Sequence, residues 1–197
     1  MPTTATSCQI GGESSDAETA QGAALRLLSG AFDDHYARVF HYLSHRFFDR
    51  ELAEELTAET FCRAAGAADR FEGDVGQMQV WLLRLATNVA NTHHRRVRWR
   101  RRLLDAFVRT GPAATGPDSP SGPGNTADQD HVRAVLQGLP SRHQAVLVLR
   151  FYSQMSFDDI ARVLGCRPDA ARARLSRAVK EMRKRLGADD ASRSPSV

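Results

Sequence analysis

Lysine is nearly missing from this chain. Of its 27 basic residues only Lys180 and Lys184 are lysine, and every other cation is arginine. Cysteine is scarce as well, with Cys8, Cys62 and Cys166 only. Three scattered cysteines make neither a disulfide framework nor a zinc spacing. Cys62 and Cys166 read as small apolar residues, and Cys8 falls in a polar N-terminal stretch. No apolar run approaches the ~20 residues of a membrane span. The N-terminus lacks the charged and apolar regions of a signal peptide. A cytoplasmic protein without membrane insertion is therefore expected. Also missing are a nucleophile–base motif, a phosphate-cradling glycine loop and a metal-ligand cluster. No catalytic residue, cofactor or metal is expected, and the chain does not read as an enzyme.

What is present is charge, unevenly placed. Ala31 to His94 holds ten acidic and six basic residues, net −4. Arg95 to Arg109 holds seven arginines and one aspartate, net +6. His131 to Gly187 holds twelve basic and four acidic residues, net +8. One acidic block and two basic blocks imply two kinds of partner, with a polyanion for the basic ones.

The most informative stretch is Ser156 to Leu186. Ser156 and Asp159 have the spacing of a capping box. Ile160, Val163 and Leu164 give a short helix one apolar face. Gly165 can supply the positive φ of a helix-ending turn, and Pro168 suits the first turn of the next helix. Ala171, Leu175, Ala178, Val179, Met182 and Leu186 then recur at helical spacing, opposite Arg172, Arg174, Arg177, Lys180, Arg183, Lys184 and Arg185. Two helices joined this way, the second one basic, have the pattern of a helix-turn-helix that enters the major groove. The plainer alternative is a solvated basic helix in an ordinary bundle.

Taken in order, residues 1–20 read as a disordered tail, although a weak helical pattern runs from Asp16 to Leu28. A helical domain is expected over 21–109. Phe32, Tyr36, Val39, Phe40, Leu43 and Phe47 mark one helix. Asp49 can cap a second, with Leu52, Leu56 and Phe61 as its buried marks and Glu51, Glu54, Glu55 and Glu59 on its other face. Ala67 to Gln77 reads as a loop around Phe71. A third helix opens near Met78 and repeats Trp81, Leu82, Leu85, Ala86, Val89 and Ala90 before turning into NTHHRRVRWRRR. Six arginines from Arg95 to Arg102 could not be desolvated together. Trp99, among them, reads as a core anchor, with stacking on a base as the alternative. The adjacent His93 and His94 read as polar surface or phosphate contacts, since neighbours in a helix cannot form an i, i+4 metal pair. Four prolines and four glycines mark 110–130 as a linker. Fully stretched, its 21 residues reach ~65 Å. A second helical domain is expected over 131–187, with Ser141 and Gln144 as a capping box for a helix from Ala145 to Tyr152. Residues 188–197 read as a tail.

These residues resemble a known family. The chain is similar to bacterial RNA polymerase sigma factors of the sigma-70 family, extracytoplasmic function (ECF) group, over about 25–103 (region 2) and 130–187 (region 4). AEELTAETF, from Ala53 to Phe61, resembles the segment that binds the β′ clamp of core polymerase. The resemblance implies that Glu54, Glu55, Leu56, Glu59 and Phe61 face the polymerase, with Glu55 and Ala58 standing where Asp and Gln are usual. VWLLRLATNVANTHHRR resembles the helix that recognises the promoter −10 element. It implies DNA contacts from Asn88, Thr92, Arg95, Arg96 and Arg98, with Phe71 to Gln77 as the loop that captures a flipped base. Thr87 and Thr92 stand where Arg and Asp are common. The last helix resembles the −35 reader and implies contacts from Arg172, Ala173, Arg174, Arg177 and Lys180. There the family's Thr-Val-Lys-Ser-Arg is replaced by Ala170-Ala171-Arg172-Ala173-Arg174.

The expectation is an all-α protein of two small helical domains joined by a flexible linker. It would bind core RNA polymerase (β′ clamp and β flap) and choose promoters through −10 and −35 elements. The family commonly has an anti-sigma partner that covers the polymerase-binding surfaces. Two other readings stay open on the residues: an autonomous helix-turn-helix regulator, and a polymerase- or regulator-binding protein without base specificity.

Overall fold

The computed structural model describes residues 35–68, 71, 73–107 and 127–193, and no strand occurs among them. The weak Asp16–Leu28 pattern, Cys8 and most of the linker lie outside these residues. No helix among the described residues is long and apolar enough to cross a membrane.

Three helices form the first module. α1 covers residues 35–47, α2 Arg50–Ala65 and α3 Val75–Phe107. The chain leaves α1 through Phe48, which takes a left-handed φ of 54°. Asp49 then caps α2, its carboxylate accepting from the Leu52 N–H at 3.0 Å. Val39, Tyr42 and Leu43 of α1, Ala53, Leu56, Phe61 and Ala64 of α2, and Leu82, Leu83, Ala86, Val89 and Ala90 of α3 fill the core. Buried Thr57 and Thr60 donate their hydroxyls back to the Ala53 and Leu56 carbonyls, so neither is left unpaired. Asp74 caps α3 by accepting from the Gln77 N–H at 2.8 Å, so that helix starts three residues ahead of the expected Met78. It stays helical through the arginine run to Phe107.

The second module contains α4 (Ala127–Gly138), α5 (Ser141–Leu147), a π-helical turn (Val148–Tyr152), α6 (Phe157–Leu164) and α7 (Pro168–Arg193). α4 thus takes up the last residues assigned to the linker, and α7 runs on past Gly187 where a tail was expected. The helix-turn-helix forms as its residues require. The Ser156 hydroxyl accepts from the Asp159 N–H at 3.1 Å and donates to the Asp159 carboxylate at 2.6 Å. Gly165 sits at φ 61°. Cys166 N–H reaches the Ala161 carbonyl at 2.9 Å and Gly165 N–H reaches that of Arg162 at 3.4 Å. That is the paired hydrogen bonding of a Schellman turn.

Ser141 and Gln144 correct the expectation. Ser141 is the first residue of its helix, and no side chain caps that end. Gln144 is buried and donates to the carbonyls of Leu136, Gln137 and Leu139. It serves the orphan acceptors at the end of α4 instead.

The two modules are docked. Gln137 donates to the Phe47 carbonyl at 2.9 Å and Arg133 to that of Phe48, so α4 satisfies the end of α1. His45 and Tyr152 stack with ring centroids 3.9 Å apart, and α6 lies against α3.

Candidate nucleic-acid interface

The acidic face of α2 survives as a surface, but a smaller one than expected. Glu54 and Glu55 are exposed and Glu59 half-exposed. Leu56 and Phe61 are only 2% and 8% exposed, because they project from the opposite side of the helix into the core. Their expected placement toward a partner is corrected: they support the face from behind. Arg50 pairs with Glu54 at 2.9 Å and Arg63 with Glu59 at 2.6 Å. Glu55 has no ion pair among the described residues, which leaves its charge most available.

On α3, Asn88, Thr92 and Arg95 share one line, and Arg96 and Arg98 stand about 80° to either side of it. At 100° per residue, Thr92 and Arg95 fall within about 40° of Asn88. Asn88, Arg95, Arg96 and Arg98 are exposed and Thr92 is half-buried. Thr87 points the other way, buried, with its hydroxyl 2.8 Å from the Tyr42 hydroxyl. Trp81 and Arg84 continue the same line toward the start of the helix, where a cleft of about 570 Å³ opens. Phe71, Gly73, Gln77, Val80, Trp81 and Arg84 line it, and Arg162 of α6 reaches in from the second module. The Phe71 and Trp81 rings lie 5.0 Å apart. A Cβ on Gly73 would come within 2.6 Å of Phe71 Cζ, so glycine lets the loop close on that ring. Flat apolar walls with amide and guanidinium groups at the rim suit a nucleobase.

Trp99 and His94 also correct the expectation. Trp99 is 65% exposed and is not a core anchor. The helix has left the bundle by that point, so no apolar surface among the described residues receives it. His94 stacks on Phe47 with centroids 4.7 Å apart. Burial, with Arg46 and His93 nearby, lowers its pKa to about 4. A neutral, half-buried imidazole is a packing group and a poor phosphate ligand.

On α7, Arg177, Lys180 and Ala173 are exposed and Arg174 is half-buried. Arg172 is drawn back onto Asp169 at 2.9 Å and over the Phe157 ring. Arg174, Arg177 and Lys180 have no ion pair among the described residues. His143, facing this helix, has its pKa lowered by burial and then by Arg142, with Arg174 and Arg177 adding to the effect against Glu181. On its other side the second module carries an apolar groove of about 340 Å³, lined by Val132, Leu136, Phe151, Val179, Met182 and Leu186 among others. Cys62 is exposed, Cys166 is half-buried, and both are free thiols. Among the described residues no group of three or more metal-ligating side chains converges.

One cluster was missed from the sequence. Arg46 is 1% exposed. Its guanidinium donates to the Tyr42 hydroxyl at 3.0 Å, to Asn91 Oδ1 at 3.4 Å, and to the Ser141 hydroxyl and carbonyl at 2.6 and 3.3 Å. Ser141 also donates to Asn91 Oδ1 at 2.9 Å. The available signal was an arginine four residues after Tyr42 on the apolar stripe of α1.

Comparison with known proteins identifies the family. The model of sigma-70 region 2 matches residues 31–101 and that of sigma-70 region 4 matches residues 130–182. The Bacillus subtilis RNA polymerase sigma factor YlaC is 27% identical over 79% of this chain and 89% of its own length. A probable RNA polymerase sigma-C factor of Mycobacterium bovis is 32% identical over 80% of each chain. An ECF RNA polymerase sigma factor, SigC of Mycobacterium tuberculosis, matches equally well. In fold, the chain resembles the Bartonella quintana sigma factor RpoE, solved with the anti-sigma factor NepR (TM-score 0.58, 20% identity, 82% of this chain and 97% of that one). It also resembles CnrH, solved with the cytosolic domain of CnrY (TM-score 0.57, 22% identity, 90% and 96%). The chain therefore belongs to the ECF group of the sigma-70 family, and as a sigma factor it binds core RNA polymerase and directs initiation at promoters.

Proposed function

We propose that this sigma factor divides its work among separate faces. The α2 carboxylates Glu54, Glu55 and Glu59 meet the β′ clamp of core polymerase, and the apolar groove of the second module takes the β flap. Asn88 and Thr92 read the −10 element, while Arg95, Arg96 and Arg98 hold its phosphates. Arg174, Arg177 and Lys180, with Ala173 and the partly neutralised Arg172 beside them, meet the −35 duplex. The observation that carries this reading is the alignment of Asn88, Thr92 and Arg95 with the Phe71–Trp81 cleft along one side of α3, with Arg96 and Arg98 flanking that line.

The chemistry follows from that alignment. A base turned out of the duplex can stack in the cleft and be read on its pairing edge, so recognition favours opening. The arginines supply sequence-independent affinity by neutralising phosphates. Once polymerase and one DNA element are bound, the tether raises the effective concentration of the other module at its site. The chain does no bond chemistry of its own and acts in the cytoplasm. An anti-sigma protein, like the NepR solved with Bartonella quintana RpoE, would silence it by covering the α2 face and the apolar groove.

The test is reconstitution. Full chain and core polymerase are mixed with fragmented DNA of the source genome, and transcript starts are mapped. Discrete new starts sharing two spaced upstream motifs are expected. Asn88→Ala should disturb selection at the nearer motif and Arg174→Ala at the farther one. Start sites unchanged by both substitutions would refute the assignment of faces.

A further inference from the structure

Trp99 is an aromatic side chain with no role so far. It is 65% exposed and stands among six exposed arginines, from Arg95 to Arg102. Its register is informative. Eleven residues at 100° each return to within about 20° of the Asn88 direction, and at ~1.5 Å per residue Trp99 lies ~16 Å farther along α3. Thr92 and Arg95 fall between the two on the same line. Trp81, seven residues before Asn88, falls on that line too. The chain's two tryptophans therefore mark two ends of one stripe, one beside the cleft and one in the open.

The surroundings select the partner. Every charged residue from Arg95 to Arg102 is positive, so the occupant is a polyanion. An indole adds a flat apolar face, which has its match in a nucleobase. Intact duplex hides those faces by stacking, so the contact needs an opened or unstacked step.

We propose that Trp99 is a stacking platform for an unpaired or unstacked promoter base, about five nucleotide steps (~3.4 Å each) from the base met by Asn88. The inference rests on α3 as the −10 face. Its test uses holoenzyme, full chain with core polymerase, on two promoter fragments of one sequence. One is fully paired, and the other carries an unpaired window reaching about seven nucleotides to either side of the −10 motif. Trp99→Ala and Trp99→Leu should weaken binding to the unpaired fragment by about 5- to 150-fold, the range of one base–aromatic stack. Trp99→Phe, which keeps a flat ring, should stay within about threefold. Wild-type affinity for Trp99→Leu on the unpaired fragment would overturn the proposal. So would equal losses on both fragments, or weakened binding to core polymerase without DNA, which would mark a protein contact. Melting temperatures near wild type are expected, because the side chain is mostly in water. Asn88→Ala separates the two readings. If it is silent while the Trp99 series behaves as expected, the −10 assignment falls and stacking stands. If it acts while Trp99→Leu is silent, stacking falls alone.

Discussion

His94 should make the first module acid-sensitive, and the sign follows from its surroundings. Its ring lies on Phe47 next to the Arg46 guanidinium, and burial and that charge lower its pKa from 6.5 to about 4. Between those values the unfolded chain binds a proton that the folded chain rejects. The stability contribution is whole above pH 6.5, declines as pH falls toward 4 and is lost below. At about pH 5 the full shift corresponds to ~2 kcal/mol relative to pH 7.5. The ring is only partly buried, so solvent screening reduces this to ~1 kcal/mol.

The control is His94→Phe. It keeps the stack, cannot titrate, and removes a ring nitrogen (Nε2) that is buried without a partner. Urea unfolding of both chains at about pH 7.5 and pH 5 isolates the effect, because every other titratable group is common to the two. Wild type should lose ~1 kcal/mol more than the variant on acidification. Losses equal within about 0.3 kcal/mol would refute the placement of His94.

Glu55→Arg should weaken binding to core polymerase by about tenfold or more, ~1.4 kcal/mol, without lowering the melting temperature, since Glu55 is exposed and unpaired; titration of labelled chain with core enzyme measures it. Gly165→Ala should cost ~1–2 kcal/mol in thermal unfolding, because φ is 61° while nothing lies within 4 Å of an added Cβ; a much larger loss would mean a clash that the geometry lacks. Arg174→Ala should lose ~1–3 kcal/mol at one −35 base pair if it reads a base. Arg177→Ala should weaken all sequences alike and lower the salt slope by about one. Fluorescence anisotropy of holoenzyme on −35 variants distinguishes these, and uniform losses for Arg174→Ala would leave it a phosphate contact.

Features set within three or four residues were legible in the sequence. Asp49, Ser156, Gly165 and Pro168 act on the nearest backbone groups, and each does what its side chain allows. Misreadings came where a residue answers to something distant. Ser141 has the spacing of a cap, but its hydroxyl is taken by Arg46, ninety-five positions away. Leu56 and Phe61 lie in the right segment, yet likeness to a family segment does not say which way each side chain points. Trp99 looked like core because tryptophan usually is, but α3 outruns the bundle that could have covered it. His94 sits in a polar run and is packed against α1, which only the tertiary fold brings beside it.

Arg46 sets how the modules are oriented more than how firmly they are held. Removing a guanidinium from water costs several kcal/mol even after relaxation. Among the described residues Arg46 has no carboxylate partner, and its Nε has no acceptor. The return is four bonds to neutral acceptors, of which the one to the Ser141 hydroxyl at 2.6 Å is the shortest. Bonds to a charged group contribute ~1.5–3 kcal/mol each at good geometry, and two of the four are longer than 3.2 Å. The sum lies close to balance. Arg46 therefore fixes the orientation of α5 on α1 and α3 more than it adds affinity. Docking strength falls instead to the packing of α6 against α3, the bonds to the carbonyls of Phe47 and Phe48, and the tilted His45–Tyr152 ring pair. Exposed polar contacts of that kind are individually modest. A joint built this way gives the two modules one preferred arrangement.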